Sequence, residues 1–237
     1  MNQFYNQSQT GYTKEISREF FRDVYSYMFG ALAISGLLAS YFGTETFFNT
    51  YFKTASGGMS PLFWIVILAP LALGLIIGNA YNRLSYIVLL SLFILYSALM
   101  GIGLSVLFLN YDLSTLSSTF FITSGAFAAM AILGYTTKTD LSSMGSLLYM
   151  ALSGMIIAIV VNLFMHSEML DYLVSIIGVF VFTGLTAYHM QNLKHISTDT
   201  NIDSSTRQKI ALVGGFTLYL LFINLFMTLL RLIGNRD

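Results

Sequence analysis

One histidine of this chain occupies a place where its chemistry would matter. His189 lies in an apolar stretch, residues 172–193, that contains no Asp, Glu, Lys or Arg. Because imidazole titrates near neutral pH, a histidine in such surroundings can sense protons and gate a pathway. The alternative is a neutral histidine that hydrogen-bonds between helices or reaches toward the lipid headgroups. The sequence leaves both interpretations open.

Two carboxylates stand at the beginning of the same apolar stretch. Glu168 and Asp171 are three residues apart, which places them on one face of a helix. There they can gather cations at the outer mouth of a pore. Acidic residues in a first helical turn also complement the positive end of the helix dipole, and this is their more common role.

Two amide side chains interrupt other apolar stretches, at Asn162 and Asn224. Amides inside membrane helices usually hydrogen-bond a neighbouring helix, at about 0.6 kcal/mol per interaction. The alternative is that Asn162 and Asn224 line a polar pathway.

Several kinds of site are excluded by residues that the sequence lacks. There is no cysteine, so disulfides, thiolate metal sites and cysteine nucleophiles are excluded. Residues 210–230 contain no lysine to hold retinal as a Schiff base, and no HExxH motif or phosphate-binding loop is present. The sequence therefore predicts no catalysis, no metal site and no cofactor. A net charge of zero without a basic tract also argues against nucleic acid as a partner.

The elements that must position these residues follow from the distribution of charge. Only 9% of the residues are charged, against about 25% in soluble domains. Seven charge-free runs are each long enough to cross a bilayer as a helix, because about 20 residues at 1.5 Å each cover its core. The runs are residues 24–44, 54–82, 84–111, 113–137, 141–167, 172–193 and 210–230. This pattern predicts an all-α integral membrane protein with seven transmembrane helices, whose main partner is the lipid bilayer.

The chain divides on this basis into a polar N-terminal tail, residues 1–23, and a single membrane domain, residues 24–237. The tail lacks the apolar region of a cleavable signal peptide and has alternating charges typical of a short interfacial helix. The first membrane helix is predicted from Val24 to Phe42, and the aromatic connection at 43–60 is predicted to lie in the membrane interface. Ser205 to Gln208 has the form of a capping box before the seventh helix.

Orientation is predicted from the basic residues, which favour the cytoplasmic side. Assigning the loops alternately places eight on one side: Lys14, Arg18, Arg22, Arg83, Lys138, Lys194, Arg207 and Lys209. The other side has three: Lys53, Arg231 and Arg236. The sequence therefore predicts a cytoplasmic N-terminus and a C-terminus outside.

Four blocks of the sequence resemble a known family. They are GIGLSVLFLNY (Gly101–Tyr111), GYTTKTDLSSMGSLLYMALSGMIIAIVVNLF (Gly134–Phe164), GLTAYHMQNLK (Gly184–Lys194) and LYLLFINLFMTLLRL (Leu218–Leu232). In this order they are similar to the Bax inhibitor family, the transmembrane Bax-inhibitor-motif proteins, in its bacterial branch. The resemblance covers the chain from Ile16 onward, and GYTTKTDLSSMG is its most specific part.

The resemblance implies a bacterial inner-membrane protein whose seventh helix is central, with the others wrapped around it. It also implies a pH-sensitive calcium leak, controlled by one carboxylate in helix 6 and one in helix 7. Two such acids share a proton and titrate together, so protonation can make or break a contact between the helices. Here the two positions are His189 and Leu221. Leucine cannot ionise, and histidine is a poor ligand for calcium, which prefers oxygen.

Three hypotheses follow for the function. The first is a residual leak with Ca²⁺ as the permeant ion, in which His189 is the only sensor or pH sensing is lost. The second is a non-conducting regulator that binds other membrane proteins, such as proteases. The third is a small-solute transporter, which ranks below the others because Pro70 alone indicates a broken helix.

Overall fold

A computed structural model describes the backbone of residues 2–54, 56–199 and 201–234, and the side chains of these ranges from residue 15 onward. Within these ranges the chain forms seven long helices and no β-strand. They are α1 Asn2–Phe42, α2 Pro61–Ala80, α3 Tyr86–Leu104, α4 Leu113–Thr136, α5 Ser142–Met165, α6 Glu168–Ser197 and α7 Ser204–Ile233.

Each of the seven helices contains an apolar segment long enough to cross a membrane. The segments are 20 to 30 residues long, the third including a short turn after α3, Leu107–Asn110. The predicted all-α membrane protein with seven spans is therefore confirmed. In an 18-residue apolar stretch of α7, 61% is buried inside the protein, whereas in the corresponding stretch of α5 only 6% is buried. The central position of α7 stays a prediction, as does the division into a tail and one membrane domain.

The first helix begins earlier than the sequence predicted. It runs without a break from Asn2 instead of starting near Val24 with a separate short helix before it, and Glu15–Phe42 contains a stretch apolar enough to cross a membrane. The extension before Val24 has a physical reason as far as Ser17, because the buried face of α1 continues back through Phe20 to Ser17 at helical spacing. That face comprises Ser17, Phe20, Val24, Met28, Ala31, Ser35 and Ala39.

The start of α7 also differs from the prediction of a capping box beginning at Ser205. The helix begins at Ser204, and Asp203 is the cap. The Asp203 carboxylate accepts hydrogen bonds from the Thr206 backbone N–H at 3.0 Å and from the Ser205 hydroxyl at 2.6 Å. A carboxylate outcompetes a serine hydroxyl here because it also carries charge at the positive end of the helix.

The chain forms two compact units, and α7 contributes one half to each. The first unit contains α1 to α3 and α7 through Tyr219; the second contains α4 to α6 and α7 from Leu220.

In the first unit, α1 and α3 approach closely at small residues. A Cβ added to Gly101 would lie 2.9 Å from the Ser35 Cα, so only glycine fits there. The Ser35 hydroxyl donates to the Ser97 carbonyl at 2.9 Å and therefore accepts from the Tyr219 hydroxyl at 2.7 Å. The small-residue stripe that permits this approach, Ala31, Ser35 and Ala39, is buried.

The aromatic connection after α1 is itself folded. Thr44 caps a short helical turn, Glu45–Phe47, and a π-helical turn, Phe48–Phe52, follows it. Phe52 is 1% exposed and packs edge-on against Phe47 and Phe63. Its place in the membrane interface stays a prediction.

Candidate functional site

Within the second unit, α6 passes α4 and α5 at two consecutive residues. A Cβ on Gly134 of α4 would lie 2.6 Å from the Ala187 Cα, and one on Gly145 of α5 would lie 2.5 Å from the Tyr188 ring. Real Cβ atoms do not approach other atoms so closely, so the backbone contact at Gly134 requires glycine, and a Cβ at residue 145 would require the Tyr188 ring to move. Ala187 and Tyr188 therefore form the surface of α6 on which both helices pack.

The turn between α4 and α5 is held by the next turn of α6. The Gln191 side-chain carbonyl accepts from the Leu141 N–H at 2.8 Å, and its NH₂ donates to the Thr139 carbonyl at 2.8 Å. Gln191 is 5% exposed, so these bonds form away from bulk water. Lys194 donates to the Tyr135 carbonyl at 2.7 Å, where the carbonyls at the end of α4 have no partner in the helix.

These contacts explain the spacing of the most specific block of the sequence. GYTTKTDLSSMG begins at Gly134 and ends at Gly145, the two glycines that touch α6. Inside the turn, hydrogen bonds from the Ser142 hydroxyl and backbone N–H lower the pKa of the Asp140 carboxyl. From the sequence, this block carried only the family resemblance, and no role was predicted for Gln191. The signal for such a role is an amide one helical turn beyond a small residue near the end of a span.

His189 lies next to these contacts and is hydrogen-bonded to α5. The Tyr149 hydroxyl and His189 Nε2 are 2.7 Å apart, and which atom donates depends on the imidazole tautomer. The Tyr188 ring lies edge-on to both, at 5.3 Å from the His189 ring centroid and 6.3 Å from that of Tyr149. The half-buried His189 thus links two helices, the arrangement expected of a neutral histidine. Its role as a pH sensor stays a prediction.

The other predicted sensor position, Leu221, lies on α7 and is 7% exposed. Its neighbour Phe222 packs edge-on against Phe120 and Phe127 of α4. A buried leucine here contributes to packing and offers no oxygen to a cation.

The first turn of α6 contains both predicted outer-mouth acids, with different surroundings. Asp171 lies 3.6 Å from the Arg231 guanidinium near the end of α7, with both side chains partly exposed. Glu168 is exposed. The position of both acids at the helix N-terminus fits the dipole role, and the pairing of Asp171 with Arg231 was missed by the sequence analysis.

The two predicted pathway amides form local bonds. The Asn162 side chain accepts from the Ser167 N–H at 2.9 Å and so shapes the end of α5, where His166 is left-handed at φ 50°. The Asn224 NH₂ donates to the Leu220 carbonyl on its own helix at 2.8 Å, and Asn224 is exposed. The Asn162 bond reaches the residue before α6, and the Asn224 bond stays within α7. A pathway role stays a prediction.

No three His, Asp or Glu side chains come together as a metal site in the ranges whose side chains are described. The geometry instead offers hydrogen-bonded links between helices, one of which includes a titratable imidazole.

Comparisons with known proteins agree with the motifs. The family described as Inhibitor of apoptosis-promoting Bax1 matches residues 17–237. The Inner membrane protein YbhL of Escherichia coli is 47% identical over 172 residues, covering 72% of this chain and 74% of YbhL. An uncharacterized protein of Borreliella burgdorferi is 42% identical over 209 residues, covering 88% of this chain and 90% of that protein. One of Rickettsia prowazekii is 39% identical over 220 residues, covering 92% and 90%. The chain therefore belongs to the Bax inhibitor family.

Proposed function

We propose that this protein is a cation leak of the bacterial inner membrane, with Ca²⁺ as the permeant ion and His189 as its proton sensor. The observation that carries the proposal is the 2.7 Å hydrogen bond between His189 and Tyr149. The bond involves His189, a titratable group at the helix 6 position for which the family resemblance implies a carboxylate. The inner-membrane location rests on the name of the relative YbhL.

The mechanism follows from what protonation does to this hydrogen bond. A neutral imidazole can accept a hydrogen bond from the Tyr149 hydroxyl at Nε2, whereas an imidazolium has no free lone pair and must donate. Protonation also places a positive charge next to two aromatic rings in an apolar stretch, where charge is poorly solvated. The charged ring is better solvated if it moves toward water, which loosens α5 from α6. Acidification therefore opens the leak.

Calcium flux into proteoliposomes tests this mechanism at fixed gradients between about pH 5 and pH 8. Wild-type flux is expected to rise as the pH falls. His189→Gln retains an amide that can bond Tyr149 but cannot titrate, so its flux is expected to be independent of pH. No flux above empty vesicles at any pH overturns the leak. Full pH dependence in His189→Gln overturns the sensor role alone.

A second function, a non-conducting regulator that binds another membrane protein, is favoured by a different observation. The side of α5 away from α6 is apolar and exposed, with Met150 at 65%, Ile157 at 65% and Phe164 at 82% exposure. A partner helix could pack there in place of lipid. Purification from native membranes with a photo-crosslinker at Ile157 tests it, with Met155, which is 6% exposed, as the matched control position. Absence of a specific crosslinked product at Ile157 counts against the regulator.

A further inference from the structure

We propose that Gln191 is the positioning residue that sets the geometry of the Tyr149–His189 pair by clamping the α4–α5 turn onto α6. The clamp is defined by two hydrogen bonds, from the Leu141 N–H to Gln191 and from Gln191 to the Thr139 carbonyl. Its effect on ion flux rests on the proposed function; its effect on the turn does not.

The chemistry of the clamp requires a side chain that both donates and accepts. Thr139 offers an acceptor and Leu141 a donor, so the side chain between them must donate and accept at once. A glutamine does both without charge, whereas a carboxylate only accepts and an ammonium only donates. Because Gln191 is 5% exposed, water does not readily replace either bond.

The clamp supplies what the glycine contacts beside it lack. Gly134 and Gly145 let α4 and α5 approach Ala187 and Tyr188 closely, and such van der Waals contacts depend little on direction. Hydrogen bonds weaken steeply with angle and distance, so the two bonds of Gln191 fix the register.

The clamped turn is rigidly connected to the titratable pair on both sides. Leu141 immediately precedes α5, and Tyr149 follows on that helix eight residues later, about 12 Å at 1.5 Å per residue. On the other side, Gln191 lies two residues after His189 on α6. A shift of the turn is therefore transmitted along α5 to the hydroxyl of Tyr149, and about 1 Å of movement breaks a 2.7 Å bond.

The substitution Gln191→Glu converts the permanent clamp into one that depends on protonation. A protonated glutamic acid can still accept from Leu141 and donate to Thr139, whereas an ionised glutamate loses the donor and faces the Thr139 carbonyl. The titratable groups on the surrounding elements are Tyr135, Lys138, Asp140, Tyr149, Tyr188, His189, Lys194 and His195. All of these groups are present in the wild type, so a pH dependence of hydrogen exchange that only the variant shows arises from residue 191.

Hydrogen exchange of the 137–141 backbone, compared with wild type at the same pH, is the first measurement. In Gln191→Glu we expect exchange about tenfold faster at pH 8 and within about twofold of wild type at pH 5. Gln191→Met, which cannot form either bond, should exchange faster at both pH values and tests the clamp even if the glutamate variant folds poorly. Asn192→Asp adds a carboxylate one residue away and should stay at the wild-type level.

Calcium flux from the same preparations is the second measurement and separates the two proposals. Faster flux in Gln191→Met than in wild type at pH 8 supports the positioning role. Exchange that is unchanged in both Gln191 variants overturns the clamp, whatever the flux. Altered exchange without flux in any form, wild type included, overturns the proposed function and the positioning of an ion leak, and leaves Gln191 only as the clamp of the turn.

Discussion

The Arg231 guanidinium lies 3.6 Å from the Asp171 carboxylate and joins the last turn of α7 to the first turn of α6. A second ion pair, Arg22 with Asp23, joins neighbours in sequence. The Asp171–Arg231 pair thus links the two helices that carry the predicted sensor positions, His189 and Leu221. Thr228 of α7 also packs closely against Gly178 of α6, so the same two helices touch at a second point.

The first prediction is that Asp171→Asn weakens the protein slightly. Both side chains are about one-third exposed, so solvent screens the pair and the loss of unfolding free energy should stay below about 1 kcal/mol. Thermal unfolding in detergent measures it, and about 1 M salt should reduce the difference from wild type. Glu168→Gln removes an exposed acid from the same helical turn and should have a smaller effect. Equal shifts for both variants would contradict a specific role of the ion pair.

The second prediction concerns the glycine on which α4 meets α6. Gly134→Ala should cost about 1–3 kcal/mol of unfolding free energy, because its Cβ overlaps the backbone of Ala187. Gly125→Ala on the same helix is the control, since no atom lies within 4 Å of its added Cβ. There alanine should be neutral or stabilise the helix by up to about 1 kcal/mol. Thermal unfolding of the two variants in parallel checks the difference, and a Gly134→Ala protein as stable as wild type would show that the helices do not meet there.

The third prediction concerns pH and the cap of α7. Hydrogen bonds from Ser205 and Thr206 hold the pKa of the Asp203 carboxyl well below its usual range. A lowered folded pKa adds stability above the unfolded value of about 3.9 and loses it as the pH falls toward the folded value. Acidification below about pH 4 should therefore remove the contribution of Asp203.

Two substitutions distinguish the capping hydrogen bonds of Asp203 from the contribution of its charge. Asparagine caps helices well but does not titrate, so Asp203→Asn should retain most of the stability and lose this part of the acid dependence. Asp203→Ala should be less stable than wild type at neutral pH, and the difference should shrink in acid. Unfolding midpoints measured from neutral to acidic pH provide the comparison. An acid dependence of Asp203→Asn identical to that of wild type would contradict the assignment.

The fourth prediction restores the carboxylates of the resembled family. His189→Asp combined with Leu221→Asp should shift the pH dependence of the calcium leak in a way that neither single change does, provided the two positions form the proton-sharing pair that the family resemblance implies. Flux measured for all four forms tests this, and identical profiles in all four would refute it. An unpaired charge in a span costs about 2.5–3.5 kcal/mol, so monodispersity and thermal unfolding must be checked for each form.

The fifth prediction is the orientation of the chain. Eight basic residues against three predict a cytoplasmic N-terminus and an external C-terminus. In a bacterial host, alkaline phosphatase fused after Gly234 should be active, and fused after Asp140 it should be inactive. The opposite pattern would show that the topology is inverted, and activity at both sites would show that the number of spans between them is not odd.

The predictions made from sequence succeeded where a local pattern determines the structure. The charge-free runs located all seven helices, because each span must satisfy its backbone hydrogen bonds within itself and be apolar enough for lipid. The predictions were wrong about where α1 and α7 begin. The buried face of α1 continues to Ser17, and Asp203 caps α7 in place of Ser205. In α1 the buried contacts, and in α7 the charge of Asp203, decided where the helix begins more than the composition of the segment did.

The chain's amino-acid order alone determined the class, the number of spans and the position of a lone imidazole in a charge-free stretch. Only the tertiary structure decided what that imidazole touches. Tyr149 and His189 are forty residues apart, and Gln191 reaches a turn fifty residues before it. Which side chains meet depends on the rotation and register of α4, α5 and α6. Those are set by many small packing terms summed over the whole helices, and two glycines together with one buried amide select the arrangement that is formed.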